Sequence, residues 1–264
     1  MHADAYLDRI GLDLTADAAT PDRATLARVL EAHVTGVPFE NLAIVGDPHG
    51  EREGDGVSLS VPDLYRKMVE DGRGGFCFEL NGLLTWLLRE LGYDADRCAA
   101  RIGGGDDSLG RPPANHHTTV VHLDRPLLVD AGTGTPQVRE PVPLDGTVVD
   151  DAAGVSWRVA PDDAPLSDFA LWLREPGDDD WRRRYRFRVT PRELSFFEAT
   201  CEFLAGEPDG TFTSGPIVQR STAEGSLRLD ADTLTRTAGG DETQTPVAPD
   251  AWHATLEREF GLSL

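Results

Sequence analysis

The stretch Arg73–Gly82, RGGFCFELNG, decides how the rest of the chain is read. Two glycines precede a cysteine, and an apolar run, LLTWLLRELG, follows it with the spacing of a helix. The pattern predicts a helix from about Cys77 to Leu91, closed by Gly92. A thiol at such a start lies among unpaired backbone N–H groups, at the positive end of the helix dipole. That setting is expected to lower the cysteine pKa and supply a thiolate nucleophile near neutral pH. Gly74 and Gly75 let a substrate approach the backbone with no side chain in the way. The alternative is a cysteine packed inward as a small hydrophobe. Arg73 and Glu79 are expected to form an ion pair or hydrogen bonds around the loop rather than to react.

A nucleophilic cysteine needs a histidine to hold its proton, and that histidine needs an orienting group. Of the seven histidines, His2, His33, His49 and His253 fall in the N-terminus, a helix, an acidic loop and the last helix. The other three lie in ANHHTTVVHLDRPLLVDAGTG, residues 114–134. Two strands flanking the tight turn Asp124-Arg125-Pro126 place either His116 or His117 close to Asp130. A pair of strand-end histidines without a role is the competing reading. A metal site from His116, His117 and His122 fits poorly, because that spacing divides the ligands between the two faces of a strand. No metal is expected.

Further outward, the first ninety residues read as helical. TPDRATLARVLEAHVTG (20–36) carries Leu26, Val29, Leu30 and Val34 at helical spacing, with Thr20 as its cap and Pro21 in its first turn. SVPDLYRKMVEDG (60–72) gives a shorter helix stopped at Gly72, and residues 46–58 read as an acidic surface insertion. From 93 to 189 short β-rich runs alternate with Gly, Pro and Asp turns, which predicts an antiparallel barrel or sandwich. A helix over 190–206, capped by Thr190 with Pro191 behind it, then strands PIVQRS, GSLRLD and TLTRTA and a closing helix around DAWHATLEREFG, complete the chain. Three regions are expected: helical 1–92, all-β 93–189 and α/β 190–264.

The charge is extreme, with 46 acidic residues against 25 basic ones. Of the basic residues only Lys67 is a lysine. A net charge of −21 repels nucleic acid and anionic membranes, so neither is an expected partner. The acid is spread over many loops, as in GDDD (177–180) and the Asp pairs at 106, 150 and 162. Such a surface suits high salt, where screening over about 3 Å at 1 M removes self-repulsion; an ordinary acidic surface is the alternative. No run of about 18 apolar residues and no secretory signal is visible. The three cysteines, Cys77, Cys98 and Cys201, suggest reduced thiols in a cytoplasm rather than a disulfide framework.

These motifs resemble those of the arylamine N-acetyltransferases over nearly the whole chain: VPFENL (37–42), RGGFCFELNG, NHHTTVVHLDRPLLVDAGTG, DGTFTS (209–214) and IVQRST (217–222). The resemblance implies an α+β fold of helical bundle, antiparallel β-barrel and α/β lid, with a Cys-His-Asp triad at the domain junction. It implies that Cys77 takes an acetyl group from acetyl-CoA as a thioester and passes it, by a ping-pong mechanism, to an arylamine or hydrazine. His116 would hold the thiol proton and Asp130 would orient His116. Counting back eight positions from Asp124, which matches the residue opening the family's hairpin turn, selects His116 over His117. The backbone N–H of Cys77 is an expected oxyanion donor. Phe39, Phe76, Asn115 and Thr133 are expected at the substrate site, and Thr213 and Ser214 at CoA. Thr133 stands where the family carries an aromatic residue, and Asn115 where threonine is usual, which predicts a wider or less aromatic acceptor range. The basic run RRRYRFR (182–188), with Arg182, Arg184, Arg186 and Arg188 on one strand face, is expected to pair with GDDD rather than with CoA. Competing functions are a papain- or transglutaminase-like cysteine amidase, an amide synthase using another acyl donor, and a non-catalytic small-molecule binder.

Overall fold

Apolar spacing sets the helices, and glycines in the left-handed region stop several of them. The computed structural model describes residues 1–103 and 112–264, so the Asp106–Asp107 pair lies outside the described residues. Helix α1 spans Ala3–Arg9 and α2 spans Arg23–Gly36. The four apolar positions of α2 are all fully buried. Its cap is Asp22 rather than Thr20: the carboxylate accepts from Thr25 N–H at 2.8 Å, a strong N-cap arrangement that leaves Pro21 outside the helix. Strand β1 (Phe39–Glu40) and helix α3 (Leu42–Val45) follow, then α4 (Val61–Tyr65), which runs on as a π-turn over Arg66–Glu70 before Gly72 at φ 68. Helix α5 covers Cys77–Glu90 and ends before Gly92 at φ 86.

Eight strands come next: β2 (Asp94–Ile102), β3 (His116–His122), β4 (Pro126–Val129), β5 (Val142–Pro143), β6 (Val149–Asp150), β7 (Ser156–Pro161), β8 (Phe169–Arg174) and β9 (Arg182–Pro191). They form one antiparallel sheet in the order β5-β4-β3-β2-β9-β8-β7-β6. Contacts between β5 and β7 bring its two ends into a nearly closed barrel. Strand β9 reaches Pro191, which pairs with Cys98 of β2. Thr190 and Pro191 therefore belong to a strand, not to the expected helix start; both residues suit an extended backbone, and pairing with β2 prevails. The helix begins later, as a 3₁₀ turn at Leu194–Phe197 leading into α6 (Glu198–Gly206).

A second antiparallel sheet takes β1 as one edge and then β10 (Val218–Ser221), β11 (Gly225–Leu229), β12 (Thr233–Ala238) and β13 (Asp241–Pro246). Helix α7 (Trp252–Phe260) covers it, burying Trp252, Leu256 and Phe260 with Val218, Leu227, Leu229 and Leu234. A larger apolar cluster runs without a break from α1, α2 and α5 into the barrel. The regions read from the sequence exchange pieces across these cores. Leu42 joins the second cluster, while Leu194, Phe197 and Cys201 join the first. Among the described residues no helix is long and apolar enough to cross a membrane.

Candidate active site

Cys77 is the first residue of α5 and is 3% exposed. The loop before it is fixed by close backbone packing. Gly75 N–H donates to Pro38 O and Glu40 N–H donates to Gly75 O, at 3.3 and 2.9 Å. A Cβ on Gly74 would lie 2.2 Å from Pro38 O, so only glycine fits. This pairing brings Glu40 beside Arg73, whose guanidinium donates to Glu40 Oε1 at 3.1 Å. Arg73 and Glu79 thus hydrogen-bond around the loop, but to other partners and not as an ion pair with each other. Glu79 instead accepts from Phe76 N–H at 3.1 Å and from Lys67 Nζ at 2.8 and 2.9 Å. The one lysine of the chain thus sits beneath the cysteine, 3.7 Å from Glu40 as well.

On the other face of the same turn lies the β3–β4 hairpin. Its register, Thr119 opposite Val129, carries Asp130 to His116. His116 Nε2 and Asp130 Oδ2 are 2.7 Å apart with both side chains fully buried. Asp130 also accepts from Tyr185 OH at 2.5 Å, Asn81 Nδ2 at 2.9 Å and Gly132 N–H at 2.8 Å. Burial alone would raise this carboxyl, but His116 and these hydrogen bonds hold it below the usual carboxylate range. His116 Nδ1 is buried with no partner among the described residues. His117 is held differently: Nε2 meets Phe78 O at 3.2 Å and the ring stacks on Phe197 at 4.7 Å. Burial pushes its pKa down to about 3, so it stays a neutral packing group. The acidic partner goes to His116 alone. His122 is elsewhere, on Asp96 at 3.0 Å, and no cluster suited to a metal ion occurs among the described residues.

Asn81 and Tyr185 escape the sequence reading. Asn81 lies one helical turn beyond Cys77 on the same face, a spacing that could have drawn notice. It donates to His117 O at 2.6 Å and accepts from Ala131 N–H at 2.8 Å, which pins α5 to the hairpin. Tyr185 stands 55 positions from Asp130 and carries no local signal. The fit between helix and hairpin is close, for a Cβ on Gly132 would lie 2.8 Å from Cys77 Cα.

A cavity of about 510 Å³ opens at the cysteine; its lining includes Cys77, Phe39, Asn115, Thr133, Arg184 and Phe212. Four of the expected site residues thus share it. Phe76 is fully buried behind it, its ring 5.4 Å from that of Phe212. Thr213 and Ser214 are not on the wall. Their hydroxyls donate to Glu207 O at 2.6 Å and Gly210 O at 2.7 Å, inside their own turn. The Asn115 amide brackets the backbone of Ile102, with both bonds 2.8 Å. The expected lowering of the Cys77 pKa does not hold. Burial pushes the thiol up, Cys201 and Asp130 add to this, and the N–H of Phe78 opposes it only in part. Cys98 and Cys201 are pushed up to about 12.

The four arginines of β9 expected on one strand face also part company. Arg182 pairs with Glu175 and Asp178, Arg186 with Asp162 and Arg188 with Asp168. Arg184 turns to the cavity and donates to the Thr133 carbonyl. The reason is a bulge: Tyr185 opposes Leu171 and Arg183 opposes Trp172, leaving Arg184 as the extra residue.

Comparison with known proteins gives a consistent picture. The N-acetyltransferase family model matches residues 22–264. An arylamine N-acetyltransferase of Mycolicibacterium smegmatis is 29% identical over 271 residues, covering 100% of this chain and 93% of that protein. The structure of an arylamine N-acetyltransferase from Mycobacterium abscessus superposes with a TM-score of 0.85 at 27% identity, covering 100% of this chain and 90% of that one. A Mycobacterium marinum arylamine N-acetyltransferase in complex with CoA gives 0.84 at 27% identity, with 98% and 92% covered.

Proposed function

The chain belongs to the N-acetyltransferase family and is an acyltransferase, and from that premise we propose that it moves acetyl groups from acetyl-CoA to arylamines or arylhydrazines through an acetyl-Cys77 thioester. The observation that carries this reading is the buried 2.7 Å His116–Asp130 contact, packed through Gly132 against the backbone of a helix-opening cysteine. Cys77, His116 and Asp130 form the triad in this reading.

Because burial raises the thiol, a thiolate needs a counter-charge beside it. His116 supplies one by taking the Cys77 proton on Nδ1 while Nε2–H stays on Asp130. The sulfur attacks the acetyl carbonyl of acetyl-CoA, the bond to the CoA sulfur breaks, and CoA leaves with the proton from His116. An amine nitrogen then attacks acetyl-Cys77, gives its proton to His116, and Cys77 departs as the thiolate. The N–H of Cys77 is one donor to the oxyanion in both steps.

Several finer readings belong to the same proposal. The chain divides into a helical region (1–92), a barrel (93–189) and a lid (190–264). Its acidic surface suits high salt, a reading supported by 46 acidic residues and by a single lysine that is itself half-buried in an ion-pair cluster. It works in the cytoplasm without nucleic acid or membrane as a partner. Phe39, Asn115 and Thr133 meet the acceptor.

The test is to incubate the protein in molar KCl with acetyl-CoA and weigh the intact chain beside Cys77→Ala. One added acetyl group, absent in the variant and lost on supplying an arylamine, is the expected result. A folded protein saturated with acetyl-CoA that gains no mass would overturn it and favour a cysteine amidase or another acyl donor.

A further inference from the structure

We infer that the outer face of β7, β8 and β9 is a docking surface for a second copy of this chain, in a two-fold symmetric dimer. Five side chains on that face alternate cation and ring. The Arg183 guanidinium lies 5.7 Å from the centre of the Trp172 ring. That of Arg158 lies 5.8 Å from Trp172 and 4.5 Å from Trp181, and that of Arg174 lies 5.2 Å from Trp181. Strand register builds the ladder, because Trp172 stands opposite both Arg158 of β7 and Arg183 of β9. All five residues are half-buried, and along β7 and β8 they alternate with the fully buried Trp157, Leu171 and Leu173.

The charge on this face is unbalanced. None of Arg158, Arg174 and Arg183 has a carboxylate at ion-pair distance among the described residues, and Nε of Arg158 is buried with no hydrogen-bond partner. Ring faces attract cations but do not neutralise them. Three like charges are thus held together on a chain of net charge −21. Their neighbours Arg182, Arg186 and Arg188 on β9 all have acidic partners. Such a patch calls for an anion from outside.

The complementary acid adjoins it. Residues 177–180, GDDD, lead straight into Trp181. Asp178 is engaged by Arg182, but Asp179 and Asp180 are exposed and form no ion pair among the described residues. A cationic patch beside an anionic one makes the surface self-complementary, which is what an isologous contact demands. With the two-fold axis beside Trp181, each copy sets Asp179 and Asp180 on the ladder of the other. The tryptophans and arginines between them are residue types that interfaces favour. An acidic molecule without cations of its own would match only half of this surface. Repulsion between two chains of −21 opposes the dimer at low ionic strength. In 1 M salt that repulsion is screened beyond about 3 Å, and groups in contact still act on each other.

The test is sedimentation velocity in molar KCl over the micromolar range of protein, where the wild type is expected to form a dimer. Two variants give the face a single sign: Arg174→Glu with Arg183→Glu, and Asp179→Arg with Asp180→Arg. Each is expected to raise the dimer dissociation constant at least about tenfold. Mixing the two variants is expected to restore the dimer, because every contact then joins opposite charges. The aspartate variant changes only exposed side chains, so it alone decides the matter if the arginine variant does not fold. A wild type that stays monomeric overturns the proposal. So does a dimer that survives both reversals, which would place the contact on another surface, or one that mixing two folded variants fails to restore. A monomer that binds immobilised polyglutamate through Arg174 and Arg183 would assign the face to a foreign acidic chain and overturn it equally. None of these outcomes bears on acetylation of Cys77, so the function proposed above is decided separately.

Discussion

The first turn of α5 stands between two buried polar networks, and they are built to different ends. On one face Glu79, Lys67, Glu40 and Arg73 form an ion-pair cluster in which every carboxylate oxygen has a donor. On the other, Asp130 is just as fully occupied, by His116, Tyr185, Asn81 and Gly132. The second network contains a titratable ring, and one nitrogen of that ring is left with no partner. The first fixes the cysteine's backbone; the second, in the proposed triad, holds the base for its proton. The difference lies less in burial, which both share, than in whether an atom has been kept free.

The strongest way to break this comparison is Asp130→Asn. It keeps the shape but removes the charge that orients His116, and kcat/KM is expected to fall by on the order of 10³–10⁴, as for an altered triad carboxylate. A loss of less than tenfold, measured with single-turnover Cys77 acetylation, would erase the distinction between the networks. Next is Lys67→Met, which leaves Glu40 and Glu79 buried with only Arg73 as a nearby cation. Denaturant melts are expected to show a loss of about 3–5 kcal/mol, and Lys67→Arg a smaller one. Unchanged stability would mean that the charge cluster does not hold the loop.

The smallest effect concerns pH and sharpens the contrast between the adjacent histidines. His33 and His117 are both held at about 3 by burial, below the unfolded value near 6.5. The unfolded chain therefore binds more protons in that window, and stability is present above pH 6.5 and lost as pH falls toward 3. Each contributes a slope of up to about 1.4 kcal/mol per pH unit. Replacing His117 with Phe should flatten the acid limb by one histidine's share; an unaltered limb would show that His117 is not held neutral.

Much of this was legible in the sequence, for identifiable reasons. The α5 start at Cys77 could be read because a glycine pair meets a long apolar run, and the barrel because its strands are separated by clear turn residues. Strand β13 was not, since all its residues are exposed and it pairs only with β12 at a sheet edge, so no alternation marks it. His116 and His117 could not be separated by pattern: β3 is buried on both faces through Val121, and alternation carries no information there. Their roles follow from register against Asp130. The partners of Arg73 and Asp130 were hidden by distance, Glu40 lying 33 positions before the one and Tyr185 lying 55 after the other. Arg184 was visible only as part of a charge run, because a bulge leaves no mark in the sequence. The raised Cys77 thiol was missed because a helix-start argument weighs the dipole and not the burial around it.

The ion-paired Lys67 has a consequence for the protein's own safety. An acetyl thioester is an acylating agent, and the ordinary bystanders around any such agent are the lysine amines of neighbouring protein copies. In this chain the single lysine is engaged by Glu79 and mostly enclosed, and every other basic side chain besides histidine is an arginine, whose guanidinium is no competitor for an acyl group. Apart from its α-amino group, the protein presents its stored acetyl with almost no primary amine of its own to spend it on.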